Sequence, residues 1–207
     1  MEKQLNEQES LNLISEMISQ ARNNIELGAA NNLLLSGYSV AITALLNFVL
    51  LHTLARPEMS YWMWLLMIPM YLVNFWVDLR HDKSKLVKTH IDSIIGGIWG
   101  SFGYACALFI AVVFGLILVI NTWELTLVII PVIMIMTGMA VFSTAVVCRY
   151  KPFFRSAYIF WISALATIIW FFFFKEASGQ FMILAVAMIL GFIIPAHILN
   201  RKARENV

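Results

Sequence analysis

The stretch SIIGGIWGSFGYACALFIAVVFGLILVI, from Ser93 to Ile120, decides the fold. It runs for 28 residues without an Asp, Glu, Lys or Arg. As a helix rising 1.5 Å per residue it reaches about 42 Å, more than the ~30 Å hydrocarbon core of a bilayer. A membrane barrel strand would alternate apolar and polar residues over about ten positions, and this run is continuously apolar. Only helices and closed barrels pair every backbone polar group within lipid, so the stretch reads as a spanning helix.

Five further runs free of those four residue types flank it, and together the six predict spans at about 32–54, 60–77, 93–120, 125–148, 156–174 and 181–200. The whole chain agrees. Of its 207 residues 61% are hydrophobic and 13% charged, with a mean hydropathy of +0.81. Soluble domains carry roughly 45–50% apolar and about 25% charged residues, so the chain has too little polar surface to be solvated by water. The expected class is an all-α polytopic membrane protein: a cytoplasmic amphipathic helix over residues 1–30, a six-helix transmembrane domain over 31–200 and a basic cytoplasmic tail over 201–207. A net charge of +2 excludes a nucleic-acid-binding domain with a basic face, and the first partner is the lipid bilayer itself.

Orientation follows from where the fourteen Lys and Arg fall. Lys3, Arg22, Arg80, Lys83, Lys85, Lys88, Arg149, Lys151, Arg155, Arg201, Lys202 and Arg204 flank the spans on one side, and only Arg56 and Lys175 on the other. The positive-inside bias puts both termini in the cytoplasm. The outward loops, Ala55 to Met59, Asn121 to Glu124 and Lys175 to Gln180, are too short to build a ligand-binding domain. No short basic leader precedes the first span, so no cleaved signal is expected. Cys106 falls about 20 Å into the third span and Cys148 at the cytoplasmic end of the fourth, too far apart for a disulfide.

Four groups of residues invite functional readings. Leu11, Ile14, Met17, Ile18, Ala21 and Ile25 recur at spacings of three and four, the pattern of an amphipathic helix. The segment carries a net −3, so it lacks the basic face that draws helices to anionic lipid; it lies along its own bundle or docks a partner. In the first span Asn32, Ser36, Ser39, Thr43 and Asn47 form one polar stripe, either lining a hydrated path or making interhelical hydrogen bonds. In the third span Gly96, Gly100, Gly103, Ala107, Ala111 and Gly115 form one small-residue face that lets helix backbones approach closely. This helix is expected to be central, with its partner in the same chain or in a second copy as a homodimer.

The fourth group is cytoplasmic. Asp78, His81, Asp82, His90 and Asp92 flank the third span, and His197 near the end of the sixth can join them. Imidazole and carboxylate together suit cation binding or proton relay, but the segment also carries the Lys and Arg of an ordinary interfacial loop, so neither a metal nor a cofactor is expected. Pro69, Pro131 and Pro195 fall in the second, fourth and sixth spans, where each can kink its helix.

Catalytic signatures are absent: there is no HExxH, no Gly-rich phosphate loop and no GxSxG elbow. Ala196 and His197 in a sixth span invite comparison with rhomboid-type intramembrane proteases, yet the fourth span reads Thr137, Gly138, Met139, Ala140 and offers no serine nucleophile. No carboxylate or base lies at mid-membrane, where ion-coupled carriers usually carry an ionisable residue. The segments ESLNLISEMISQARNN (Glu9 to Asn24), LLLSGYSVAITALLN (Leu33 to Asn47) and GFIIPAHILNRK (Gly191 to Lys202) resemble a group of small bacterial inner-membrane proteins. That resemblance implies a polytopic inner-membrane protein with a cytoplasmic N-terminal helix, and it transfers no activity and no functional residues. The expected role is non-enzymatic: an assembly or regulatory component engaging a membrane or cytoplasmic protein, or else a small transporter or channel lined by the stripe of the first span. The orientation is checked by cysteine labelling: Ser84→Cys should react with an impermeant maleimide only from the cytoplasmic side, and reaction from outside intact cells would reverse the topology.

Overall fold

The computed structural model describes residues 31–54, 57–73, 76 and 90–205. They are helical almost throughout, with no strand among them. We number the helices α1 (Asn31–Thr53), α2 (a 3-10 segment Pro57–Leu66 running into α-helix at 67–73), α3 (His90–Ile120), α4 (Trp123–Cys148), α5 (Lys151–Phe174) and α6 (three consecutive segments, Gly179–Met188, Ile189–Ile193 and Ile194–Glu205). All except α2 are long and apolar enough to cross a membrane by length and composition. The apolar part of α2 is the shorter Trp62–Val73. The expected second span, 60–77, is therefore established only in part, and the amphipathic helix expected over residues 1–30 lies outside the described residues. The expected tail is helical as far as Glu205, in continuation of α6.

Neighbouring helices run antiparallel. On α1 and α6, Tyr38 meets His197 and His52 meets Glu176, so the start of one lies beside the end of the other. Asn47 meets Ser60 and Thr43 meets Met67 between α1 and α2. The turns after α3, α4 and α5 close on Asn121, Arg149 and Lys175, all left-handed with φ of 57°, 51° and 55°. There the amide of Asn121 donates to Ile117 and that of Lys175 to Phe171, which closes the last turn of each helix. Glycine is the usual residue at such a position because a Cβ is strained there.

At the centre of the bundle is α6, and α3 lies at its edge. In the most apolar 18-residue stretch of each, 56% of residues are buried in α6 and 11% in α3. This corrects the expectation of a central third span. Its small face finds little to pack on: a Cβ added at Gly96, Gly97, Gly100 or Gly115 would meet nothing within 4 Å among the described residues, and at Gly103 only the Tyr71 hydroxyl. Close approach occurs instead at glycines of α1, α4 and α6. Gly37 of α1 faces Phe192 and Ile193 of α6. Helix α5 then aims three aromatic rings at glycines of its neighbours: Trp161 at Gly138 of α4, and Phe160 and Trp170 at Gly191 and Gly179 of α6. The Trp161 indole N–H also donates to the Ile135 carbonyl at 3.2 Å, one turn from the glycine that admits it. Phe160, fully buried, stacks edge-on against Phe192 at 4.9 Å between ring centroids.

The three prolines share one local consequence. Pro69 and Pro131 each follow a 3-10 segment by three residues (57–66 and Trp123–Val128), and Pro195 follows the π segment Ile189–Ile193 by two. Proline lacks the N–H that would bond four residues back, and its ring crowds that carbonyl. The preceding turn therefore rewinds, tighter in α2 and α4 and looser in α6. Neither cysteine is in a disulfide, and Cys106 faces the Met136 sulfur.

Two glycine substitutions separate packed from open positions. Gly138→Ala should lower stability by about 1–3 kcal/mol, because its methyl overlaps the Trp161 ring. Gly100→Ala should be neutral or stabilising by up to about 1 kcal/mol, since alanine is the better helix former and the space is empty. Reversible unfolding in mixed micelles measures both, and equal losses at the two sites would contradict the packing described.

Candidate functional site

The stripe of α1 is the largest polar feature that the sequence singles out, and the structure brings two of its five residues, Thr43 and Asn47, against α2. Asn47 is fully buried; its amide donates to the Ser60 carbonyl at 3.0 Å, and the Ser60 hydroxyl, also fully buried, faces the Asn47 carbonyl oxygen at 3.5 Å. Ser60 lies in the 3-10 part of α2, so a polar residue there meets α1 near the end of the bundle that carries Lys175. Thr43, one turn earlier, points its hydroxyl at the Met67 sulfur at 3.7 Å. Ser39 turns back on its own helix, donating to the Leu35 and Ser36 carbonyls, a bond Ser readily makes within a helix. All three side chains are buried, while Asn32 and Ser36 are half-buried. At Thr43 and Asn47 the stripe is thus a seam between α1 and α2.

Two ties between α1 and α6 flank this seam. At the Arg149 end the Tyr38 hydroxyl and His197 Nε2 are 2.9 Å apart, both residues exposed at the bundle surface. At the Lys175 end His52 Nε2 lies 3.2 Å from Glu176 Oε1, while its Nδ1 lies 2.8 Å from the Phe48 carbonyl. The Ser178 hydroxyl donates to the same Glu176 oxygen at 2.6 Å. The carboxyl of Glu176 is held below its ordinary value, first by the Ser178 hydrogen bond and then by His52, with partial desolvation acting in the opposite sense. The partner of His52 is 124 residues away, and no local spacing could have signalled it. Ser60 and the three ring and glycine pairs of α5 were likewise invisible to a reading that takes one helix at a time.

Of the cytoplasmic group, Asp78, His81 and Asp82 lie outside the described residues, as do Leu11, Ile14, Met17, Ile18, Ala21 and Ile25. His90 and Asp92 begin α3, and His197 is engaged with Tyr38. Among the described residues no group of three or more His, Cys, Asp or Glu is placed to hold a metal ion. On the small face of α3, Gly96, Gly100, Ala107, Ala111 and Gly115 are exposed and Gly103 is half-buried. Comparison of the chain with protein-family models, with curated proteins and with solved structures finds no match.

The state of Glu176 gives a pH dependence. A carboxyl whose folded value is depressed stabilises the fold above its unfolded value, and that contribution disappears as pH falls through the folded value. Wild type should therefore unfold at a higher temperature than Glu176→Gln at pH 6, and the difference should close as the pH is lowered past the carboxylate range. A difference that persists unchanged in acid would refute the assignment.

Proposed function

We propose that this chain is a non-enzymatic integral protein of the bacterial inner membrane, with both termini cytoplasmic, acting as an assembly or regulatory component. It engages a membrane or cytoplasmic partner through the amphipathic segment Leu11 to Ile25 and the loop from Asp78 to Asp92. The observation that carries this reading is the spending of the α1 stripe on its own bundle. Ser39, Thr43 and Asn47 direct their hydrogen bonds to their own helix or to α2 and are buried in doing so. A path lined by these groups would need them turned toward water, and a buried polar group already paired loses its bond when it is so turned. The distribution of charge supports the same reading, because twelve of the fourteen Lys and Arg fall on the side of the spans that also carries the longest segments outside the apolar runs. The open face of α3 leaves room for lipid or for a second membrane helix.

The rival, a small transporter or channel for an ion or a lipophilic solute, keeps the same stripe as its lining. The two readings separate experimentally. Blue-native electrophoresis of gently solubilised membranes should show the full chain in a species larger than itself. The chain lacking residues 1–27 should run at its own size with an unchanged unfolding temperature. Identical migration of the two at monomer size would overturn the proposal. A Thr43→Val variant that folds as wild type but loses potassium or proton flux in liposomes would favour the rival.

A further inference from the structure

Both ring nitrogens of His52 face oxygen acceptors. Nδ1 lies 2.8 Å from the Phe48 carbonyl oxygen and Nε2 lies 3.2 Å from Glu176 Oε1. A neutral imidazole carries one N–H and one lone pair, so in this geometry it leaves a lone pair against either a carbonyl or a carboxylate. An imidazolium donates at both positions and satisfies both. Two further features suit a cation here. His52 sits in the last turn of α1, whose free carbonyls make that end partially negative. Glu176 is fixed in place by Ser178, a buried residue whose hydroxyl donates to the same oxygen. Among the described residues Glu176 is the only charged group acting on His52. Lys175, one residue earlier in the same turn, directs its Nζ over the Phe172 ring at 5.2 Å.

The position of this cluster gives it leverage. It joins the C-terminal end of α1 to the turn that starts α6, the central helix. At the opposite end the same two helices are held by Tyr38 with His197 and by the close approach of Gly37 to Phe192 and Ile193. That second contact adjoins the π segment and Pro195, where α6 is already rewound. Release at the Lys175 end therefore leaves these polar and close-packed ties between α1 and α6 at the Arg149 end only, while α1 stays against α2 through Asn47 and Thr43.

We propose that His52, Glu176 and Ser178 form a proton-operated latch between α1 and α6, closed when His52 is an imidazolium and Glu176 a carboxylate, and open when either loses that state. The latch is independent of which partner the protein engages. Its two limbs have opposite signs: acid protonates Glu176 and opens it, and alkali removes the His52 proton and opens it. In the orientation argued from Lys and Arg it senses the pH outside the cytoplasm.

A double-substitution cycle on the full chain tests this. Wild type, His52→Gln, Glu176→Gln and the double variant are unfolded thermally in the same detergent at pH 3.5, 6 and 9. At pH 6 each single substitution lowers the midpoint and the double lowers it no further, while at pH 3.5 and 9 the coupling vanishes. Additive losses at pH 6, or coupling that survives to pH 9, would overturn the latch. Nitrogen-15 spectra of histidine-labelled wild type provide a second readout that needs no variant to fold beyond the one used for assignment. Both His52 ring nitrogens should be protonated at pH 6, and a ring with a single N–H at that pH overturns the proposal.

Discussion

The seating of large rings against the bare backbone of glycine is the constraint on which this structure depends. Five of the helices are apolar on nearly every side, and between such helices in lipid the hydrophobic effect offers no preference for one face over another. What remains is van der Waals contact, which falls off within an ångström of its optimum, together with the few hydrogen bonds that a buried polar side chain must find. Glycine beside a large ring supplies the first. Gly138, Gly179 and Gly191 each accept an aromatic side chain from α5, and through them α5 is keyed to α4 on one side and α6 on the other. The pair Asn47 and Ser60 supplies the second and sets α2 against α1.

These contacts explain why α6, rather than α3, is central. Both helices contain glycines, but those of α6 lie opposite Phe160 and Trp170, whereas Gly96, Gly97, Gly100 and Gly115 lie opposite nothing among the described residues. A row of small residues therefore permits close packing without locating it. The ring that fills the notch locates it, and that ring belongs to another helix. The prolines add a second layer of control, since each adjoins a change in winding that rotates the side chains beyond it relative to those before.

The length and apolar character of most helices were legible in the sequence, because the exclusion of charge from about twenty consecutive residues is a property of each segment alone. The end of α1 at Thr53, of α3 at Ile120 and of α4 at Cys148 fall within a residue of the charge-free runs. Helix α2 was legible only in part, since a 3-10 start of ten residues is not encoded in hydropathy. The candidate site was legible as a stripe but not as a seam: Ser39, Thr43 and Asn47 share a face by spacing, while Met67 and Ser60, the partners of Thr43 and Asn47, depend on how two helices are set side by side. His52 with Glu176 illustrates the same limit across 124 residues.

The arrangement of α1 along α6 is the claim on which the latch rests and which the central place of α6 requires, and cross-linking tests it directly. In a background with Cys106 and Cys148 replaced, one protein carries Cys at positions 38 and 197 and another at 52 and 176, and each is treated in native membranes with a short bis-maleimide. The account predicts an intramolecular link in both proteins, detected by mass spectrometry of the digested monomer. Failure of both pairs to link within one chain, with the reagent shown to modify each cysteine singly, would contradict it.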